Sequence, residues 1–236
     1  MSFAESKILT EYPYPYWGEK LLFCIDIAIK QAWDNVLKKH SNKISHYNEV
    51  EITDALECEL QIIMDKDKIP GFDRTKFQSV VRGGEFRNFD GKNLEKKPDL
   101  FFRKIQLTPG IFDSRYDALF IECKVINGSN QSPLDYIKDG VRRFVDGEYA
   151  WCMQSSVMIA YVRDNKKFPK EIKATFKRNT KNKDVTKCDP IDNLYSKWNT
   201  ITSPQTYKTV HTRTWTHPDY GMPGNIEISH TWFDCP

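Results

Sequence analysis

The most informative part of this chain is a pair of apolar segments, Pro98-Asp99-Leu100-Phe101-Phe102 and Ala118-Leu119-Phe120-Ile121-Glu122-Cys123-Lys124-Val125-Ile126. Both are short and rich in aromatic and aliphatic residues, which predicts two strands. Because side chains alternate along a strand, Glu122 and Lys124 should point to one face of the sheet and Cys123 to the other. A glutamate inside so apolar a strand is costly to bury without a partner.

The partner of Glu122 is the first question that this segment raises. Neighbours on one strand face lie about 6–7 Å apart, so we expect Lys124 alone to be an insufficient partner. A divalent cation shared with Asp99 is the chemical alternative, since carboxylates suit hard cations. The alternatives are that Asp99 caps its strand as a turn residue and that Lys124 faces solvent.

The pattern Pro98-Asp99, 22 intervening residues and Glu122-x-Lys124 resembles the motif of the PD-(D/E)XK nuclease superfamily. The resemblance spans roughly residues 45–233. It implies that Asp99 and Glu122 hold Mg²⁺ or Mn²⁺, helped by a backbone carbonyl near Cys123. It also implies that Lys124 assists the attacking water and stabilises the developing charge.

A third acid is expected from the helix predicted over residues 48–65, where Glu49-x-x-x-Thr53 resembles a pattern of the same superfamily. At about 100° per residue, Glu49 falls roughly 60° from Ile52 and Glu51 about 100° away. Glu49 is therefore the expected ligand and Glu51 its rival. Both acids could instead favour the helix dipole, with Asn48 as the N-cap.

The order of predicted elements indicates an α/β protein with a mixed central sheet flanked by helices. We expect helices over 18–40, 48–65 and 132–145, and strands over 77–86, 98–105, 117–126, 157–162, 208–215 and 225–233. The resemblance implies a restriction-endonuclease-like αβββαβ core. The chain is interpreted as one domain, 1–236, made of a helical lead-in (1–44), a catalytic core (45–162), a polar basic insertion (163–200) and closing strands (201–236).

The predicted helix 132–145 and the residues just after it present Tyr136, Gly140, Arg143 and Gly147 as one stripe. The two glycines would allow close approach of the active-site strand or of a substrate backbone. The forked guanidinium of Arg143 suits a phosphate or a carboxylate. Tyr136 and Arg143 are therefore candidate nucleic-acid contacts, and an ion pair between Arg143 and a core acid is the alternative.

The closing strands carry the remaining candidates. His211 and Arg213 share a strand face and are expected either to contact nucleic acid or to brace the sheet. His230 shares its face with apolar residues, which is typical of a core histidine that is satisfied by a hydrogen bond. Histidine ligation of a metal is not favoured, because no third ligand has suitable spacing.

Composition bounds the remaining possibilities. The hydrophobic fraction of 39% with 14 Phe is enough for a core, and the six cysteines form no CxxC pair. We predict a cytoplasmic protein without a membrane span, since no apolar run approaches about 18 residues. The net charge of +3 is too small to indicate nucleic acid by itself. The basic residues between Arg163 and Lys187 fit phosphate contacts and a solvated insertion equally well.

The expected function is Mg²⁺- or Mn²⁺-dependent hydrolysis of a phosphodiester, with DNA favoured as substrate by the resemblance. Restriction or anti-phage defence, a homodimer and a defence-system partner protein are extrapolations from the same resemblance. The alternatives are a catalytically silent scaffold on the same fold and a nuclease that is active only with its partner.

Overall fold

A mixed seven-stranded sheet places the two motif segments side by side. The computed structural model describes residues 12–127, 132–163, 174–175, 195–196 and 206–236. The strands are β1 (Val81–Arg82), β2 (Leu100–Arg103), β3 (Ala118–Ile126), β4 (Ser155–Val162), β5 (Tyr195–Ser196), β6 (Thr206–Thr212) and β7 (Asn225–Asp234). Their order across the sheet is β1-β2-β3-β4-β7-β6-β5.

The pairing directions explain why β3 is so apolar. It runs antiparallel to β2, with Leu100 opposite Ile121, and parallel to β4, with Glu122 opposite Met158. β4 is also parallel to β7, and all eight of its residues are buried. Strands that are paired on both edges and covered on both faces require continuous apolar sequence.

The helices lie on both sides of the sheet. Helix α1 (Glu19–His40) stacks Trp33 on Tyr161 and Phe233, with ring centroids 5.3 and 5.0 Å apart. Helix α2 (Glu49–Asp65) packs beside it and begins with a complete capping box at Asn48. The predicted α/β class with a mixed sheet and flanking helices is confirmed.

Helix α3 covers the opposite face and is not regular. It begins as an α-helix (Ser132–Tyr136), continues as a π-helical turn (Ile137–Val141) and ends as an α-helix (Arg142–Val145). The π turn contains Gly140, where an added Cβ would lie 2.5 Å from Met158 Cε and 3.7 Å from Lys124 Cγ. Gly140 therefore lets α3 approach β3 and β4 closely. This is the close approach of a strand that the small residues of the stripe predicted.

One predicted strand is largely wrong. Of residues 77–86, only Val81–Arg82 forms a strand, while Phe77 and Phe86 make isolated bridges to Lys104 and Lys96. Gly83 has a φ of 67°, and an added Cβ at Gly84 would lie 2.6 Å from the ring of Phe101. The backbone must turn there to pass over the sheet, so an extended strand cannot continue.

The predicted basic insertion 163–200 lies mostly outside the described residues. Within the described ranges, no helix has both the length and the apolar character that crossing a membrane requires.

Candidate active site

The ammonium group of Lys124 lies among three carboxylates that come from separate elements. Its Nζ is 2.8 Å from Glu122 Oε1, 3.1 Å from Glu49 Oε1 and 4.0 Å from Asp99 Oδ2. It also donates a hydrogen bond to the backbone carbonyl of Cys123 at 2.8 Å. The structure thus brings together all five groups that the sequence nominated for catalysis and metal binding.

Lys124 reaches Glu122 despite the spacing along the strand, and it is not the only partner of Glu122, since Arg143 and Tyr149 also contact this carboxylate. Strand rise separates the two backbones, but four methylenes allow the ammonium group to fold back over Cys123 and reach the carboxylate. Lys124 keeps 15% of its side-chain surface exposed, whereas Glu122 is fully buried. The pair therefore satisfies part of the charge that a cation was expected to balance.

Asp99 and Glu49 are fixed by the backbone of β3. Cys123 N–H donates to Asp99 Oδ2 at 2.6 Å, and Val125 N–H donates to Glu49 Oε2 at 3.0 Å. β2 pairs with β3 only as far as Ile121, so both amides lie beyond the end of β2. The carboxylates of Asp99 and Glu49 take the place of the backbone acceptors that a longer β2 would have provided. The amides of Cys123 and Val125 are therefore hydrogen-bonded.

The two acids of the first turn of α2 make different contacts. Glu51 accepts a hydrogen bond from Asn48 N–H at 2.7 Å, and Asn48 Oδ1 accepts one from Glu51 N–H at 3.0 Å. Glu51 is therefore engaged in capping α2, while Glu49 reaches β3. Glu49 is thus the acid that faces inward, as the helical-phase argument predicted, and its role as a metal ligand stays a prediction.

Glu122 is surrounded by donors on both oxygens. Oε1 lies 3.0 Å from Arg143 Nη1 in addition to Lys124, and Oε2 accepts a hydrogen bond from the Tyr149 hydroxyl. Burial raises the pKa of Glu122, and the neighbouring Asp99 raises it further; the two cations offset this only in part, leaving the pKa at about 7. The carboxyl group therefore titrates near neutral pH.

The other charges of the cluster respond to their neighbours. Burial alone would lower the pKa of Lys124, but Glu122, Glu49 and Asp99 outweigh burial and raise it, so the ammonium stays protonated. Burial raises the pKa of Asp99 above its usual value, although Lys124 and the Cys123 amide act in the opposite direction. Burial and the neighbouring cationic side chains therefore act in opposite directions on the pKa values of Asp99 and Glu122.

Three predicted nucleic-acid contacts are wrong, because their side chains are buried. Tyr136 is 0% exposed and its hydroxyl lies 2.9 Å from His230 Nδ1. His211 is also 0% exposed, with its Nε2 2.7 Å from Thr209 Oγ1. Thr209 Oγ1 is equally close to His230 Nε2, which confirms His230 as a hydrogen-bonded core histidine.

Arg213 is the third of these corrections. It is fully buried and donates to the carbonyls of Pro223 at 2.5 Å, Gly224 at 3.0 Å and Trp151 at 3.2 Å. Burial lowers its pKa to about 10. The brace alternative for Arg213 is therefore the correct one.

Arg143 and Tyr149 complete the site in ways that the sequence showed only in part. Arg143 is about one-third exposed and pairs with Glu122, as the ion-pair alternative stated, while its exposed part leaves it accessible to a ligand. Tyr149 was not predicted, because a tyrosine in a loop carries no pattern of its own. The sequence feature that could have pointed to Tyr149 is its place just after the stripe of Tyr136, Gly140, Arg143 and Gly147.

The donor chemistry of the cluster fits a hard divalent cation. Carboxylate oxygens of Glu49, Asp99 and Glu122 and the carbonyl of Cys123 are the ligands that Mg²⁺ and Mn²⁺ prefer. In the described part of the chain, no group of three acidic, histidine or cysteine side chains is arranged to hold a metal ion as it stands. At this site the Lys124 ammonium lies among the three acids, so a cation that shares their oxygens would have to displace it.

Comparisons of the chain with protein-family models, with curated proteins and with solved structures found no match. The chemistry of the site is therefore inferred from the residues that form it.

Proposed function

We propose that the protein is a metal-dependent nuclease of the PD-(D/E)XK type. The observation that carries the proposal is the convergence of Glu49, Asp99 and Glu122 on the ammonium group of Lys124. Two strand acids, a helix acid and a lysine two residues after the second strand acid are the set that the superfamily uses. The helix–three strands–helix–strand order formed by α2, β1, β2, β3, α3 and β4 supports the finer assignment to its αβββαβ core.

The residues divide the work of phosphodiester hydrolysis between them. Glu49, Asp99, Glu122 and the Cys123 carbonyl would hold Mg²⁺ or Mn²⁺. When bound, such an ion polarises a phosphate oxygen and lowers the pKa of a water molecule. Lys124, once released from the acids, orients the attacking water and stabilises negative charge on the phosphate. Arg143 is placed to bind a phosphate from its partly exposed side.

The summed charge of the cluster favours the binding of a divalent cation together with a phosphate. The three acids carry three negative charges when ionised, and Lys124 and Arg143 carry two positive charges. One divalent cation changes the net charge of this group from −1 to +1, and a phosphodiester then neutralises it. Excess charge of either sign in a partly buried site is costly, so the two ligands favour each other's binding.

The proposal is tested by cleavage of plasmid DNA and of single- and double-stranded DNA and RNA oligonucleotides with Mg²⁺ or Mn²⁺. We expect cleavage by the wild type and none by Glu122→Ala or Lys124→Ala. Glu19→Ala and Lys20→Ala, exposed acid and base on α1, are the matched controls. Full metal-dependent cleavage by Glu122→Ala would show that the mechanism is wrong.

One observation favours a second candidate, a catalytically silent scaffold. Both oxygens of Glu122 already have protein donors, so the site is complete without a cation. A scaffold predicts that neither Mg²⁺ nor Mn²⁺ raises the unfolding temperature of the wild type.

Cleavage that begins only when a second protein is added would instead support a partner-activated nuclease. A homodimer remains a prediction that analytical ultracentrifugation can test.

A further inference from the structure

Tyr149 makes a contact with the cluster that the proposed reaction leaves unused. Its hydroxyl donates to Glu122 Oε2, the oxygen that faces away from Lys124. Tyr149 is 0% exposed. Its hydroxyl is therefore a buried donor to this oxygen of Glu122.

The ring of Tyr149 is held by aromatic packing. Its centroid is 5.3 Å from that of Phe144 at an interplanar angle of 85°, and 6.1 Å from that of Phe120. Phe144 belongs to α3 and Phe120 to β3. The hydroxyl is thus fixed relative to the strand that carries Glu122, because a buried ring between two elements has little freedom to turn.

The backbone around Tyr149 is bent in an unusual way. Gly147 has a φ of 70°, and Ala150, which is not a glycine, has a φ of 55°. Arg213 donates to the carbonyls of Ala150 at 3.5 Å and Trp151 at 3.2 Å. Positive φ at a residue with a Cβ persists only where surrounding contacts enforce it, and such residues are concentrated at functional sites.

We propose that Tyr149 is a positioning residue for the metal-binding carboxylate: it holds Glu122 Oε2 so that Oε1 faces Glu49 and Asp99. This inference rests on the proposed function. Groups that hydrogen-bond a ligating carboxylate fix its orientation, and their removal weakens metal binding by about 10- to 100-fold. The buried Arg213 supports the same arrangement indirectly, by fixing the backbone that follows Tyr149.

The test is calorimetric titration of the full chain with MnCl₂, at a temperature where circular dichroism shows every variant folded. Tyr149→Phe keeps the ring and removes the hydroxyl. Tyr14→Phe is the matched control, since Tyr14 is also fully buried and its hydroxyl bonds to the backbone of Asp113 and to the Cys152 thiol, neither of which belongs to the charged cluster. We expect the Kd for Mn²⁺ to rise about 10- to 100-fold in Tyr149→Phe and to stay unchanged in Tyr14→Phe.

The outcomes separate this inference from the proposed function. Mn²⁺ binding by Glu122→Gln with wild-type affinity, or no binding by the wild type, would contradict the proposed metal site. Loss of binding in Glu122→Gln but wild-type affinity in Tyr149→Phe would overturn only the role of Tyr149. An equal loss in Tyr14→Phe would also overturn it, by showing a general loosening. If Tyr149→Phe does not fold, the titrations are repeated with Ala150→Gly added to every protein, because glycine relieves the positive φ.

Discussion

The carboxylate of Glu49 accepts the backbone N–H of Val125 at 3.0 Å, so the first turn of α2 is bonded directly to the strand that carries Lys124. Its other oxygen receives Lys124 itself at 3.1 Å. One acid therefore fixes a helix to the sheet and contributes to the charged cluster. A ligand that binds Glu49 must therefore leave its bonds to Val125 and Lys124 in place or provide substitutes for them.

Lys124→Met should destabilise the protein when no metal is present. The substitution removes the cation from three neighbouring carboxylates and leaves Glu122 buried beside Asp99. Breaking a buried ion pair on one side typically costs about 3–5 kcal/mol. Because the site is partly exposed and Arg143 remains, we expect the lower end of that range. Chemical denaturation measures the free energy of unfolding.

Mn²⁺ should recover part of this loss in Lys124→Met, since the metal would replace the missing positive charge. The same titration with Lys20→Met, on the exposed surface of α1, is the control. A Lys124→Met protein that is as stable as the wild type without metal would contradict the role of Lys124 as the internal cation.

Metal binding should depend on pH through Glu122. A carboxyl group whose pKa is raised to about 7 in the folded protein stays protonated below that pH, and a cation must displace the proton. The affinity for Mn²⁺ should therefore rise as the pH increases through about 7. Titrations at pH 6.5 in buffers of different ionisation enthalpy should show proton release. An affinity that does not change between pH 6 and 8 would argue against Glu122 as a ligand.

The same pKa has a defined effect on the metal-free protein. Because the folded-state pKa lies above the unfolded value, this group favours folding at pH values below about 4.5, and the contribution is lost as the pH rises to about 7. The free energy of unfolding of the wild type should fall over this interval relative to that of Glu122→Gln. Urea denaturation of both proteins at several pH values tests the sign.

Gly147→Ala should destabilise the fold through two separate effects. The φ of 70° costs about 1–3 kcal/mol for a residue with a Cβ. The added Cβ would also lie 2.7 Å from Trp215 Cζ2, a rigid ring stacked on Phe89, and such overpacking typically costs about 1–3 kcal/mol. Gly91→Ala has a φ of 69° but open space around the Cβ, so it should show only the first cost. Equal unfolding free energies for the two variants would contradict the steric account.

Arg213→Lys should lower stability without altering nucleic-acid affinity in the folded protein. A lysine cannot supply the fork of donors that reaches Pro223, Gly224 and Trp151, so buried carbonyls lose partners at about 1–3 kcal/mol each. Thermal unfolding measures the loss. A fall in the salt dependence of DNA binding would instead show that Arg213 contacts phosphate, contrary to its burial.

The parts of the site that the sequence predicted are those set by local periodicity. Strand alternation placed Glu122 and Lys124 on one face, and helical phase separated Glu49 from Glu51. Both follow from short-range geometry, so they survive into the folded chain. The predicted class and most of the helix and strand positions depend on the same patterns.

The parts that were missed depend on tertiary packing. Nothing in the local sequence shows that Tyr136, His211 and Arg213 are buried, since polar residues in strands and helices are usually exposed. The contact between Tyr149 and Glu122 joins a loop to a strand 27 residues earlier. The π turn in α3 lies where Gly140 packs against Met158 of β4. Because this packing joins a helix to a strand, the sequence of the helix alone does not show it.

The position of β7 between β4 and β6 has a consequence for how the chain is made. β4 borders β3, and its second edge is covered by β7, which lies far along the chain. During synthesis on the ribosome, β3 can pair with β2 and β4 while the outer edge of β4 still displays free amides and carbonyls. Such an edge invites pairing with other chains, so this protein should depend on chaperones until residues 225–234 have emerged.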